Sequence, residues 1–142
     1  MPFELHDMDT IVICSAAILS PDGNLLMVRK KDSAYFQLPG GKAAPGESQE
    51  ETLIRELREE LRFDVPKKNL EFLGSHTAHA VNEANTLVAG NIYLIRLRVA
   101  QSFKAYEELV EVVWIKPDNW PSFKLAHLAA EFVIPRWLSG KL

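Results

Sequence analysis

A chain of 142 residues, 47% hydrophobic and 25% charged, has the make-up of one globular domain spanning residues 1–142, which excludes a disordered or fibrous protein. Its 16 basic and 19 acidic residues leave a net charge of −3, which argues against polymeric nucleic acid as partner, because such binders usually carry a strongly basic face. A free small-molecule nucleotide stays open, since a metal ion can supply the positive charge that the protein lacks.

Residues 1–10 carry Glu4, Asp7 and Asp9 and have no basic start followed by an apolar run, so no signal peptide is expected there. No later segment has the ~18 apolar residues of a membrane span. Residues 11–19 read as a buried strand containing Cys14. As the only cysteine, it cannot form an internal disulfide; it suits a reducing cytoplasm and reads as an inert packing residue. Pro21-Asp22-Gly23-Asn24 is a turn signal, and residues 25–28 read as the hairpin partner of the first strand. Residues 35–38 lead into Pro39-Gly40-Gly41, where regular structure is expected to stop.

From Ser48 the period becomes helical. Ser48 with Glu51 makes a capping box, and Leu53, Leu57 and Leu61, with Ile54 beside them, form an apolar stripe. Asp64 and Pro66 bound the far end. Strand-like stretches follow at 70–73 and around 76–78, then a polar bend at 82–85, a long run over 86–99 and a short strand over 110–115. Ser122 is a candidate cap for a last helix through Leu125, Leu128, Ala129, Phe132 and Val133, which Pro135 should kink or end. This succession predicts an α+β domain, an α/β/α sandwich around a mixed sheet. His76 and His79 lack a third ligand and read as ordinary strand residues rather than a zinc pair; His6 and His127 carry no signal. Trp114, Trp120 and Trp137 read as packing residues.

On a helix turning ~100° per residue, Glu56, Glu59 and Glu60 occupy an arc of roughly 100° flanking the leucine stripe. Like-charged pairs at these spacings destabilise an isolated helix by roughly 0.2–0.5 kcal/mol each. A hard divalent cation reverses the sign, because Mg²⁺ takes oxygen ligands and binds one or two carboxylates together with substrate phosphates. Charge runs usually just face water. Here the acidic cluster borders the apolar stripe instead of opposing it, and a glycine-rich loop precedes the helix.

Gly41, five residues, Glu47, seven residues, Arg55-Glu56-Leu57, one residue, Glu59-Glu60, one residue, then Arg62-Phe63: this spacing resembles the Nudix box, over 23 of the 142 residues. The order of strands and the closing helix also resemble the MutT-like branch of that family. Arg62 departs from the pattern, standing where the family has a glycine that readily takes a left-handed conformation.

The resemblance implies an Mg²⁺-dependent (or Mn²⁺-dependent) pyrophosphohydrolase. Glu56, Glu59 and Glu60 would carry metal binding and water activation, Arg55 and Glu47 would be their structural partners, and a Gly40 carbonyl would complete the metal site. Glu56 is either a ligand or the base that takes the water's proton. Glu108 is a further candidate base or ligand from a loop before a late strand, with Glu107 and Glu111 as rivals. Arg29 and Lys42 flank the Gly41 loop as candidate phosphate contacts or simply as solvated cations. Phe36, Tyr35 or Phe123 are candidates for stacking on a base, and residues 122–124, through Lys124, for reading it. Marks of dinucleoside polyphosphate, ADP-ribose and NADH enzymes are missing, which leaves the compact nucleoside triphosphate type. A non-catalytic nucleotide-binding regulatory module is the alternative, and a homodimer is left open.

Overall fold

Alternation along the first apolar run decides the architecture of residues 9–142, the part that the computed structural model describes; Glu4, His6 and Asp7 lie outside the described residues. Strands β1 (Asp9–Leu19), β2 (Leu25–Lys30), β3 (Phe36–Gln37) and β4 (Gly40–Lys42) precede helix α1 (Gln49–Leu61). Strands β5 (Glu71–His79), β6 (Thr86–Arg96) and β7 (Leu109–Ile115) follow, and a π-helical segment, Ala129–Val133, runs into α2, Ile134–Leu138.

Successive residues of a strand point to opposite faces. β1 therefore sends Ala17 and Leu19 into one core, and Cys14, Ala16 and Ile18 into the other. β6 divides in the same way, Ile92 and Leu94 against Tyr93 and Ile95. Each apolar face needs a cover. Leu53, Leu57 and Leu61 of α1 close one, and Leu128, Ala129, Phe132 and Val133 close the other. The result is the α/β/α sandwich expected from the element order. Its sheet runs β3-β2-β1-β6-β5, with β4 added to β1 and β7 to β2. β1 and β6 are parallel along their whole length, from Asp9 opposite Thr86 to Leu19 opposite Arg96, and the other pairings are antiparallel.

Four local readings change. The turn over residues 21–24 does not open a long hairpin: β1 and β2 meet only at Leu19 and Leu25, and β2 then pairs with β7. The rest of that edge of β1 is taken by β4, so regular structure breaks at Leu38-Pro39 as expected but resumes at once through Gly40-Gly41. The two stretches at 70–73 and 76–78 are one strand, bulged between Phe72 and Gly74. The last helix is not capped by Ser122, whose hydroxyl donates to the Asn119 carbonyl within a 3₁₀ turn; helical structure begins at His127. Of the two outcomes expected at Pro135, a kink or an end, the helix does not end. The wider π turn immediately before the proline accommodates the hydrogen bond that the ring cannot make, and the helix continues to Leu138.

Both ends of α1 are set by its sequence. The Ser48 hydroxyl accepts from the Glu51 amide at 3.1 Å, and the Glu51 carboxylate accepts from the Ser48 amide at 2.8 Å. At the other end Arg62 takes the left-handed conformation, φ 54° and ψ 35°, and its amide donates to the Arg58 carbonyl. The Phe63 amide reaches back to the Leu57 carbonyl. A side chain in that conformation costs about 1–2 kcal/mol relative to the right-handed region.

Candidate active site

Helix α1 brings its three glutamates to the sheet in three different environments. Glu60, on the same face as Leu53 and Leu57, is 1% exposed. Its Oε1 accepts from the Gly40 amide at 3.1 Å, while its Oε2 is buried with no partner. Burial foremost, then the charges of Glu56 and Glu108, push its pKa up to about 8 against the pull of the Gly40 amide. Glu56 stands at the border, raised from the ordinary carboxylate range by burial, although Arg55 at 2.9 Å partly offsets this. Glu59 is half exposed and faces the Arg55 guanidinium at 3.3 Å. Arg55 also grips Glu47 through two bonds of 2.9 and 3.0 Å, and Thr52 donates to the same carboxylate, which holds Glu47 below the usual range. Among the described residues no three His, Cys, Asp or Glu side chains converge on one point as a formed metal cluster.

The loop before α1 must come close for this to work. A Cβ at Gly40 would collide with the Cys14 carbonyl oxygen, and one at Gly41 with the Glu56 carboxyl group. Bare backbone at both positions lets β4 lie on β1 while the carboxylates of α1 reach under it. The donor set suits a hard divalent cation: all the donors are oxygen, and one buried carboxylate oxygen lacks any partner.

Gly40 and Gly41 also form one end of a cavity of ≈ 150 Å³ between the sheet and the C-terminal helical segment. Its walls include Ile13, Val88 and Leu128, and Lys30, Asn82 and His127 supply polar groups. The His127 Nδ1 lies 2.9 Å from the His79 carbonyl. A carbonyl only accepts, so that nitrogen carries the proton and Nε2 of the neutral ring is an acceptor.

The family profile described as NUDIX domain matches residues 10–134. The chain belongs to the Nudix family. It is 29% identical over 119 residues to the CTP pyrophosphohydrolase of Escherichia coli (strain K12), an alignment spanning 78% of this chain and 80% of that protein. It is 25% identical over 126 residues to the ADP-ribose pyrophosphatase of Methanocaldococcus jannaschii, spanning 87% and 72% respectively. The crystal structure of a MutT protein from Methanosarcina mazei Go1 shares the fold, with a TM-score of 0.75 at 20% identity over 94% of this chain and 96% of that one.

Against the residues singled out from the Nudix pattern, the structure brings Glu47, Arg55, Glu56 and Glu59 into one hydrogen-bonded group, with Glu60 and Gly40 joined beneath it. Glu108 acts electrostatically on both Glu56 and Glu60 and lies 3.8 Å from the Lys30 ammonium. Of its rivals, Glu111 pairs with Arg29, and Glu107, exposed like Glu108, makes no ion pair among the described residues. Gly41 and Lys42 line the cavity. Arg29 does not, being bound to Glu111 at 2.8 Å and to the Ser33 carbonyl at 2.8 Å, whereas its neighbour Lys30, across a register irregularity in β2, does. Phe36 packs edge-on against Phe123 beside the core, and Lys124 lies over the Tyr35 ring; neither lines the cavity. Lys30, Asn82 and His127 were not among the sequence candidates, because the contact that places each comes from a distant part of the chain. Among the described residues no helix is long and apolar enough to cross a membrane.

Proposed function

We propose that this Nudix hydrolase cuts the diphosphate linkage of a nucleoside triphosphate, or a related nucleoside diphosphate derivative, with Mg²⁺ or Mn²⁺. The products are a nucleoside monophosphate and pyrophosphate or phosphate. The observation that carries the reading is the buried, partnerless Glu60 oxygen at the foot of a carboxylate group, joined through Gly40 to a strand that also lines an apolar cavity.

Glu56, Glu59 and Glu60 with the Gly40 carbonyl would hold the cation. When bound, it neutralises the diphosphate and polarises the attacking water. Arg55 fixes the directions of Glu56 and Glu59 from its anchor on Glu47. Glu56 or Glu108 takes the proton released as water attacks phosphorus. Lys30 and Lys42 meet phosphate oxygens, and the cavity receives the base, with His127 Nε2 accepting from a base N–H group. The single, buried Cys14, which has no cysteine partner in the chain, suits a reducing cytoplasmic setting.

A panel of nucleotides assayed with Mg²⁺ tests this. Release of phosphate or pyrophosphate from at least one of them, falling about a hundredfold or more in Glu59→Gln, is the expected outcome. Tight binding with no turnover of any nucleotide would instead establish a regulatory module.

A further inference from the structure

The end of α1 carries a feature that the proposed chemistry does not use. Arg62 adopts a left-handed conformation that glycine would take without cost, which directs attention to what its side chain touches. Among the described residues it has no ion pair. Its guanidinium lies instead over the Tyr106 ring, 4.7 Å from the centroid. Tyr106 is also tied to the same helix end through its backbone, its amide donating to the Glu60 carbonyl at 3.0 Å. That carbonyl belongs to the last turn of α1 and has no acceptor role within the helix, so the loop caps the helix as the arginine covers the loop.

The strap that contains Tyr106 leads directly to Glu108. Phe103 packs on Phe63, just beyond Arg62, with ring centroids 5.1 Å apart. Glu107 takes a left-handed turn, φ 56°, which the Leu109 amide closes by donating to the Tyr106 carbonyl at 3.1 Å. The Glu108 carbonyl accepts from the Lys31 amide at 2.9 Å, its carboxylate lies 3.8 Å from the Lys30 ammonium, and its charge adds a little to the upward pKa shifts of Glu56 and Glu60.

We propose that Arg62 is a positioning residue which, by lying on the Tyr106 ring, fixes this strap to the end of α1 and thereby sets the position of Glu108 relative to the α1 carboxylates. The departure from the family's glycine is then a device of this chain. The role in turnover rests on the carboxylate site proposed above; the docking of the strap does not.

Amide hydrogen exchange in the whole protein, with no substrate present, reads the docking directly. In Arg62→Gly and in Tyr106→Leu the Tyr106 and Leu109 amides should exchange about tenfold faster, whereas Tyr106→Phe, which keeps the ring, should match the wild type. Glycine suits the left-handed position, so Arg62→Gly folds with an unchanged or higher Tm. Steady-state kinetics on the best nucleotide should show kcat down about tenfold in Arg62→Gly, KM shifted by less than about twofold, and the double variant no worse than either single one. Unchanged exchange in Arg62→Gly overturns the proposal, as does Tyr106→Phe losing as much protection as Tyr106→Leu. If the wild type hydrolyses no nucleotide, the functional reading falls while the exchange result still judges the strap.

Discussion

Helix α1 opens on a reciprocal Ser48–Glu51 cap and runs thirteen residues without interruption. The helical segment on the opposite face begins without a side-chain cap, passes through five π-helical residues and carries Pro135. The difference follows from what each face must do. Three carboxylates at spacings of three and four reach one region only if the helix holds its period, so any slip on the α1 face would scatter them. The other face borders a cavity, where a widened turn gives room that a regular helix would fill. On the function proposed above, chemistry common to many nucleotides belongs to the regular side, and selection among them to the irregular side.

The largest effect should come from Glu60→Gln. Turnover of every accepted nucleotide should drop by about a hundredfold or more, with the order of preference unchanged, in a steady-state comparison of the panel. A changed order would break the division between the two faces. The same variant has a signature in stability. The folded state holds the Glu60 proton more tightly than the unfolded chain, its pKa being raised from 4.5 to about 8, so stability present below pH 4.5 is lost as pH rises toward 8. With a chelator present, the Tm of the wild type should fall across that window, and Glu60→Gln should flatten this part of the profile.

A smaller effect, confined to the opposite face, is expected of His127→Ala. Loss of one acceptor at the cavity should change the relative kcat/KM of different bases by about tenfold while sparing the best turnover number. Equal losses on all bases would place His127 with the common chemistry. The least change should come from Ser48→Ala, which removes one half of the capping box and lowers stability by about 1 kcal/mol, measurable as a shift of a few degrees in Tm.

What could be read from the sequence follows the same division. The cap, the leucine stripe and the acidic arc of α1 are local patterns, each encoded within four or five residues, and all of them form. The position of Arg62 was marked only through the family resemblance, and its left-handed conformation is a finding of the structure. The pairing of β2 with β7 and of β4 with β1 was not, since register between distant strands leaves no mark in either one alone. That Lys30 lines the cavity while Arg29 pairs with Glu111 depends on a register irregularity between the two, which the sequence does not announce. His127 carries meaning only once His79 and Val88 have been folded against it.

Cys14 lies at the centre of β1, fully buried, with its thiol pKa raised by burial and by Glu50 and Glu47. Since the chain has a single cysteine, it carries a built-in clock for its own opening. An alkylating reagent can mark the sulfur only in molecules whose sheet has come apart, so the labelling rate in each variant counts opening events without any added probe.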